Sequence, residues 1–266
     1  LVIELQQLAA GLYLVASLGT FLGLALPDAR LGRVAIGCLA VGAVVHGLAF
    51  AQLHSRTAPP LTDLSAAISL MAWLAVVFAL ALVVLLRGRL ESLAGLVAPF
   101  AFVAVLASSY ALASELRSAE GSVGGRWPHL HVILSSAGLA LLGVAGLAGL
   151  LFLLENRMLK AKRPVRWRSR LPSLEALDRV NVAALALGFP LLTFGMIAGM
   201  IWSRRMTGHL WIGDPHAVWA ALAWVVYLAL SAARFAIGWR GREAAACAAV
   251  GFVFLLFAVL GAEALS

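Results

Sequence analysis

The sequence predicts an all-helical, polytopic integral membrane protein with about eight transmembrane helices and both termini extracytoplasmic. Two compositional facts and one pattern predict it. Hydrophobic residues make up 63% of the 266-residue chain and charged residues only 12%, against about half and about a quarter in soluble domains. Apolar runs of about 20 residues, the length that crosses the hydrocarbon, recur from end to end. These runs lack the strict alternation of barrel strands, and backbone in lipid must hydrogen-bond within helices or closed barrels.

The spans are expected at about 5–26, 34–53, 63–86, 91–115, 130–154, 174–203, 216–237 and 244–264, forming one transmembrane domain over 1–266. The first run has no basic flank before it and is long enough to span, so it reads as a true helix rather than a leader. The sixth is longer than one crossing needs. Ser173 is its expected N-cap, Glu175 and Asp178 favour the positive end of its dipole, and Pro190 is expected to kink its middle. Cys38 and Cys247 both fall inside apolar runs, with no C-x-x-C pair and no C-x-x-C-H site. A thiol–disulfide carrier and a covalent c-type cytochrome are thereby excluded.

The net charge of +8 is a topology signal, not a nucleic-acid footprint. Seven cations (Arg157, Lys160, Lys162, Arg163, Arg166, Arg168 and Arg170) crowd the loop 156–171. They fix that loop as cytoplasmic, where it anchors on anionic lipid. Alternation then places fifteen of the twenty Lys and Arg inside, leaving Arg56, Arg117, Arg126, Arg204 and Arg205 outside. A bacterial inner-membrane location follows as an expectation.

On this topology all six histidines, His46, His54, His129, His131, His209 and His216, lie in the outer half. Trp127, Trp202, Trp211 and Trp219 lie near the same interface, in and around an outer loop over 202–219. Trp favours headgroup regions in general, but only Trp167 and Trp239 mark the inner side. His46 is the sharpest single residue, since its span holds no other ionisable side chain, and an intramembrane imidazole is a functional-site hypothesis by default. Its structural alternative is a hydrogen bond to a neighbouring helix.

Zinc would need three or four closely spaced ligands, and no H-x-x-x-H or H-E-x-x-H pair is present. Haem needs one or two axial imidazoles, its macrocycle packs on aromatic rings, and its carboxylates favour cations such as Arg204, Arg205 or Arg126. The outer constellation therefore fits haem better than zinc; a quinone would suit the same rings. Asp214-Pro215 turns the chain and caps the seventh helix, with Pro at its first position.

Several stretches resemble the haem-handling cytochrome c assembly proteins of the CcsA/CcmC/CcmF superfamily, most closely the small eight-helix YpjD-type branch. Gly188 to Trp202 reads G-F-P-L-L-T-x-G-x-x-x-G-x-x-W, and "LWIGDPHAVWA" follows, with "GWRG" beyond it. In the Trp-rich signature Trp211, Asp214, Pro215 and Trp219 match, while Thr207 and Gly213 stand where the family has Trp. Leu210 replaces a Tyr, and His216-Ala217 replaces Lys-Glu. "LHVILSSAGLALL" resembles the segment carrying an external His ligand, here His131, and "HGLAF" resembles the helix-two segment carrying His46. The second external His is not matched, since Ser231, Ala232 and Ala233 stand in its region.

The resemblance implies a protein of cytochrome c biogenesis that binds haem b, non-covalently, at its outer face. His46 and His131 are the implied axial ligands, with His209 or His216 as substitute partner. Trp202, Trp211, Asp214, Trp219, Arg204 and Arg205 would complete the site. The implied partners are apocytochrome c or other membrane subunits of an assembly complex. The alternative is a transport-associated or divalent-metal-export accessory protein that keeps the scaffold without haem transfer. Against transport, no acid sits mid-span, where transporters often place one. A respiratory subunit with two stacked haems would need inner-half histidines, and there are none.

Overall fold

The computed structural model describes residues 2–26, 29–56, 64–86, 90–115, 126–161, 171–210 and 215–264. Among them lie eight helices and no strand: α1 (Val2–Ala25), α2 (Ala29–Arg56), α3 (Leu64–Leu85), α4 (Glu91–Glu115), α5 (Arg126–Lys160), α6 (Leu174–Thr207), α7 (Pro215–Phe235) and α8 (Arg242–Ala264). Seven of them, α1 to α7, are long and apolar enough to cross a membrane. This is a multi-pass membrane protein. Most of the cationic connector, residues 162–170, lies outside the described residues.

The chain divides into two compact units. One runs Leu1–Gly124 with Arg163–Pro172 and holds α1 to α4; the other runs Gly125–Lys162 with Ser173–Ser266 and holds α5 to α8. In the first, α1 packs on α2 and α4, and α3 on α4. Its fully buried side chains include Tyr13, Leu39, His46, Ser69 and Val76. In the second, α5 and α6 form the most extensive helix pair, and α8 covers α5. Leu142, Leu185, Leu192, Tyr227 and Leu255 make its core.

Lipid tails are as apolar as Leu, so close packing must hold these helices together. Glycine supplies it on two sides of α5. A Cβ on Gly138 would come within 2.6 Å of the Leu192 backbone nitrogen on α6, and one on Gly146 within 2.2 Å of the Phe252 Cβ on α8.

The ends of α6 follow local chemistry. Ser173 has extended backbone and its Oγ accepts from the Ala176 N–H at 3.2 Å. Glu175 pairs with Arg179 one turn on, at the surface. At the far end Gly208 adopts φ 80°, which only glycine takes at low cost, and its N–H returns to the Arg204 carbonyl at 3.0 Å. The helix thus outruns the expected end at 203, with Arg204 and Arg205 in its last turn, where the dipole favours cations. It spans about 50 Å at about 1.5 Å per residue, well beyond the hydrocarbon. Pro190 lies within the helix, which continues through it.

Polar ties hold the second unit together. Arg234 on α7, only 8% exposed, donates from both terminal nitrogens to Asp178 on α6, at 3.0 and 2.8 Å. Asn181 Nδ2 donates to the Ala145 carbonyl at 2.9 Å. Trp224 Nε1 donates to Thr193 Oγ1 at 3.0 Å, and that hydroxyl donates to the Phe189 carbonyl at 2.9 Å.

Candidate functional site

His131 stands in the second turn of α5, half-buried against α6. Its Nδ1 lies 2.8 Å from the Gly195 carbonyl. A carbonyl only accepts, so Nδ1 carries the proton and Nε2 is the nitrogen with the lone pair. That second-sphere arrangement is typical of metal-ligating histidines, fixing both tautomer and ring orientation. Ser135, one turn along α5, places its Oγ 3.5 Å from the same Nδ1.

The motif on α6 explains the fit. Gly195 and Gly199 are one turn apart and both face α5. A Cβ on Gly199 would come within 2.7 Å of His131 Nδ1 and 2.9 Å of its Cε1, and one on Gly195 within 2.3 Å of Ser135 Oγ. The two glycines form a groove that receives the imidazole and the Ser135 hydroxyl. Three residues beyond, Trp202 sets its indole against the ring, centroids 6.2 Å apart and planes tilted by 40°. Its Nε1 is buried without a hydrogen-bond partner among the described residues.

At the same end of the unit, where α5 begins and α6 finishes, the Arg205 guanidinium sits 5.0 Å from the centre of the Trp127 ring, a cation–π arrangement. Arg204 and His209 are exposed. The His209 carbonyl accepts from Ser203 Oγ at 2.9 Å and its N–H donates to Thr207 Oγ1 at 3.3 Å, which fixes the backbone just past the Gly208 cap. Trp219 on α7 is half-buried, its ring 6.3 Å from that of Phe254 on α8. Trp211, Asp214 and the side chains of His216 and Arg126 lie outside the described residues.

His46 belongs to the first unit and has no exposed surface. Tyr13 Oη on α1 lies 3.3 Å from its Nδ1, and Ser69 Oγ on α3 lies 2.9 Å from its Nε2. Phe50 stacks on the ring at 5.0 Å. Trp73 Nε1 donates to the Ala43 carbonyl one turn before His46, at 2.8 Å. The imidazole thus joins α1, α2 and α3 from the centre of their packing.

The structure therefore brings together His131 and Trp202 among the expected residues, with Arg205 at the same end, and gives His46 a setting of its own. Tyr13, Ser69, Ser135 and the Gly195 carbonyl are the partners that sequence reasoning missed. Only Ser135 carried a local signal, standing four residues after His131 on one helical face.

Fold and site together define a multi-pass helical membrane protein that presents an oriented imidazole beside an indole at one end of a four-helix unit. The chain belongs to the Cytochrome C assembly protein family, whose pattern matches residues 36–266. It is similar to the cytochrome c biogenesis protein CcsA of Microcystis aeruginosa, 43% identical over 96 residues, covering 36% of this chain and 29% of that one. With CcsA of Chlamydomonas reinhardtii the likeness is 29% over 209 residues, 76% of this chain and 57% of the relative. With CcsA of a Synechocystis species it is 38% over 128 residues, 47% and 37%. The chain thus spans less than two thirds of the length of these relatives.

Proposed function

We propose that this protein handles haem in cytochrome c biogenesis in the bacterial inner membrane, holding haem b non-covalently where α5 begins and α6 ends. The observation that carries the reading is the hydrogen bond from His131 Nδ1 to the Gly195 carbonyl. It commits the imidazole to the tautomer whose Nε2 can ligate a metal.

Bound there, haem would supply an iron with two axial positions and a pair of anionic propionates. The chain's own residues fit those needs. His131 brings a neutral nitrogen donor, and Gly199 keeps the space its ring occupies. Trp202 offers an aromatic wall, with Trp219 on the neighbouring helix α7, and Trp211, between them in sequence, would add a third ring. Arg204 and Arg205 bring positive charge to the end of α6, suited to carboxylates. His209 or His216 would supply the second axial nitrogen, since Ser231, Ala232 and Ala233 cannot. His46 has the better claim to an anchoring role, because its Nε2 would reach iron only by giving up Ser69. The recipient would be apocytochrome c or another membrane subunit of an assembly complex. The motif from Gly188 to Trp202 and the eight helices support a place in the small YpjD-type branch.

The test is the absorption spectrum of the full chain, purified in mild detergent with haem supplied and quantified as the pyridine haemochrome. A Soret band that shifts on reduction and is lost in His131→Ala is the expected result. A wild-type protein without that band overturns the reading.

A further inference from the structure

We infer that Trp202 is a specificity-determining residue whose indole N–H donates to a carboxylate of the bound macrocycle; this rests on the haem reading above. The indole nitrogen is donor-only. In Trp202 that donor is buried and has no acceptor among the described residues, while its ring lies against the imidazole of His131. A buried donor left unmet is costly, so its place beside an oriented imidazole points to an acceptor that the ligand brings.

The charge of the surroundings says which acceptor. The acids of the second unit whose side chains are described are Glu155, Glu175, Asp178 and Glu243. They stand near the end of α5 and the starts of α6 and α8, all at the opposite end of the unit from Trp202. Around Trp202 the chain places cations instead: Arg204 and Arg205 follow it on α6, and Arg205 covers Trp127. A donor and two guanidinium groups, with no described carboxylate of the unit's own at that end, match an anionic group on the ligand. Other tryptophans have found acceptors within the chain: Trp224 on Thr193 and Trp73 on Ala43. Trp202 is set apart by its position three residues past the glycine that admits the ligand-bearing imidazole.

The experiment is a cycle of two changes, read as dissociation constants from Soret titrations of the full chain in detergent. One change is Trp202→Phe; the other replaces haem with its dimethyl ester, which removes both carboxylate charges. Trp202→Phe should weaken haem binding roughly tenfold, as expected for a hydrogen bond to a charged group, with the Soret position unchanged because His131 is intact. Esterification should weaken wild-type binding at least as much, and the Phe variant by roughly tenfold less than that. A cycle that closes with no coupling between the two changes overturns the inference and leaves the haem reading standing. Wild type that binds neither compound removes both. Should the Phe variant not fold, the indole nitrogen resonances of the wild type, labelled and titrated with diamagnetic zinc protoporphyrin IX, give the same answer. One indole N–H should move downfield with the free acid and not with the ester; equal shifts with both overturn the proposal.

Discussion

His46 and His131 are both helix-borne imidazoles in a membrane protein, yet their surroundings give them opposite capacities. In the first unit each ring nitrogen of His46 meets a hydroxyl, from Tyr13 and Ser69, and hydroxyls can donate or accept. That pocket tolerates either tautomer and so reserves no lone pair. In the second unit His131 meets a backbone carbonyl, which can only accept. That contact settles the proton and dedicates the other nitrogen. Residue type does not separate the two histidines; the chemistry of the group facing Nδ1 does.

The largest effect expected from breaking this contrast is at His131. Its replacement by Ala should lower haem affinity by well over the 10–100-fold typical of losing a group that merely orients a ligand, whereas His46→Ala should keep the Soret band. Loss of the band in His46→Ala with the fold intact would reverse the two assignments. Next comes Gly199→Ala, whose methyl would meet His131 Nδ1 at 2.7 Å and turn the ring. A loss of roughly tenfold, with a displaced Soret maximum, is expected from that second-sphere change.

For stability the order inverts. His46→Ala should cost about 1–3 kcal/mol by stranding two buried hydroxyls, read as a lower midpoint for unfolding in detergent. Tyr13→Phe removes one hydrogen bond at 3.3 Å and should cost only about 0.6 kcal/mol, the average for such bonds between membrane helices. A Tyr13→Phe cost equal to that of His46→Ala would mean the tyrosine, not the histidine, anchors the three helices.

Much of the fold was open to reading because each helix is an apolar run closed by punctuation. Ser173, Gly208 and Pro215 bound α6 and α7 with ordinary capping chemistry. The start of α5 lay hidden, since Trp127, Pro128 and His129 look like interface and turn. Pro is tolerated in a first turn, where its missing N–H has no partner to lose. The motif from Gly188 to Trp202 marked the stretch of α6 that carries Gly195, Gly199 and Trp202, but what the glycines are for required knowing that α5 lies against them. The hydrogen bond expected for His46 could not be given its partners, because Tyr13 and Ser69 stand 33 and 23 residues away, and no local pattern ties such positions. Nor could counting histidines on one side of the membrane tell that His46 and His131 belong to different packing units.

The groove formed by Gly195 and Gly199 also makes the imidazole a gauge of how α5 and α6 are aligned. Sliding one helix by a single residue, about 1.5 Å, would carry the Gly195 oxygen out of line with Nδ1 and bring a side chain into the gap at Gly199. The proton could then migrate to Nε2, and that nitrogen would lose its lone pair. A pull along the axis of α6 would thus release the tautomer, and a crosslink pinning the two helices in their native alignment should hold the proton on Nδ1.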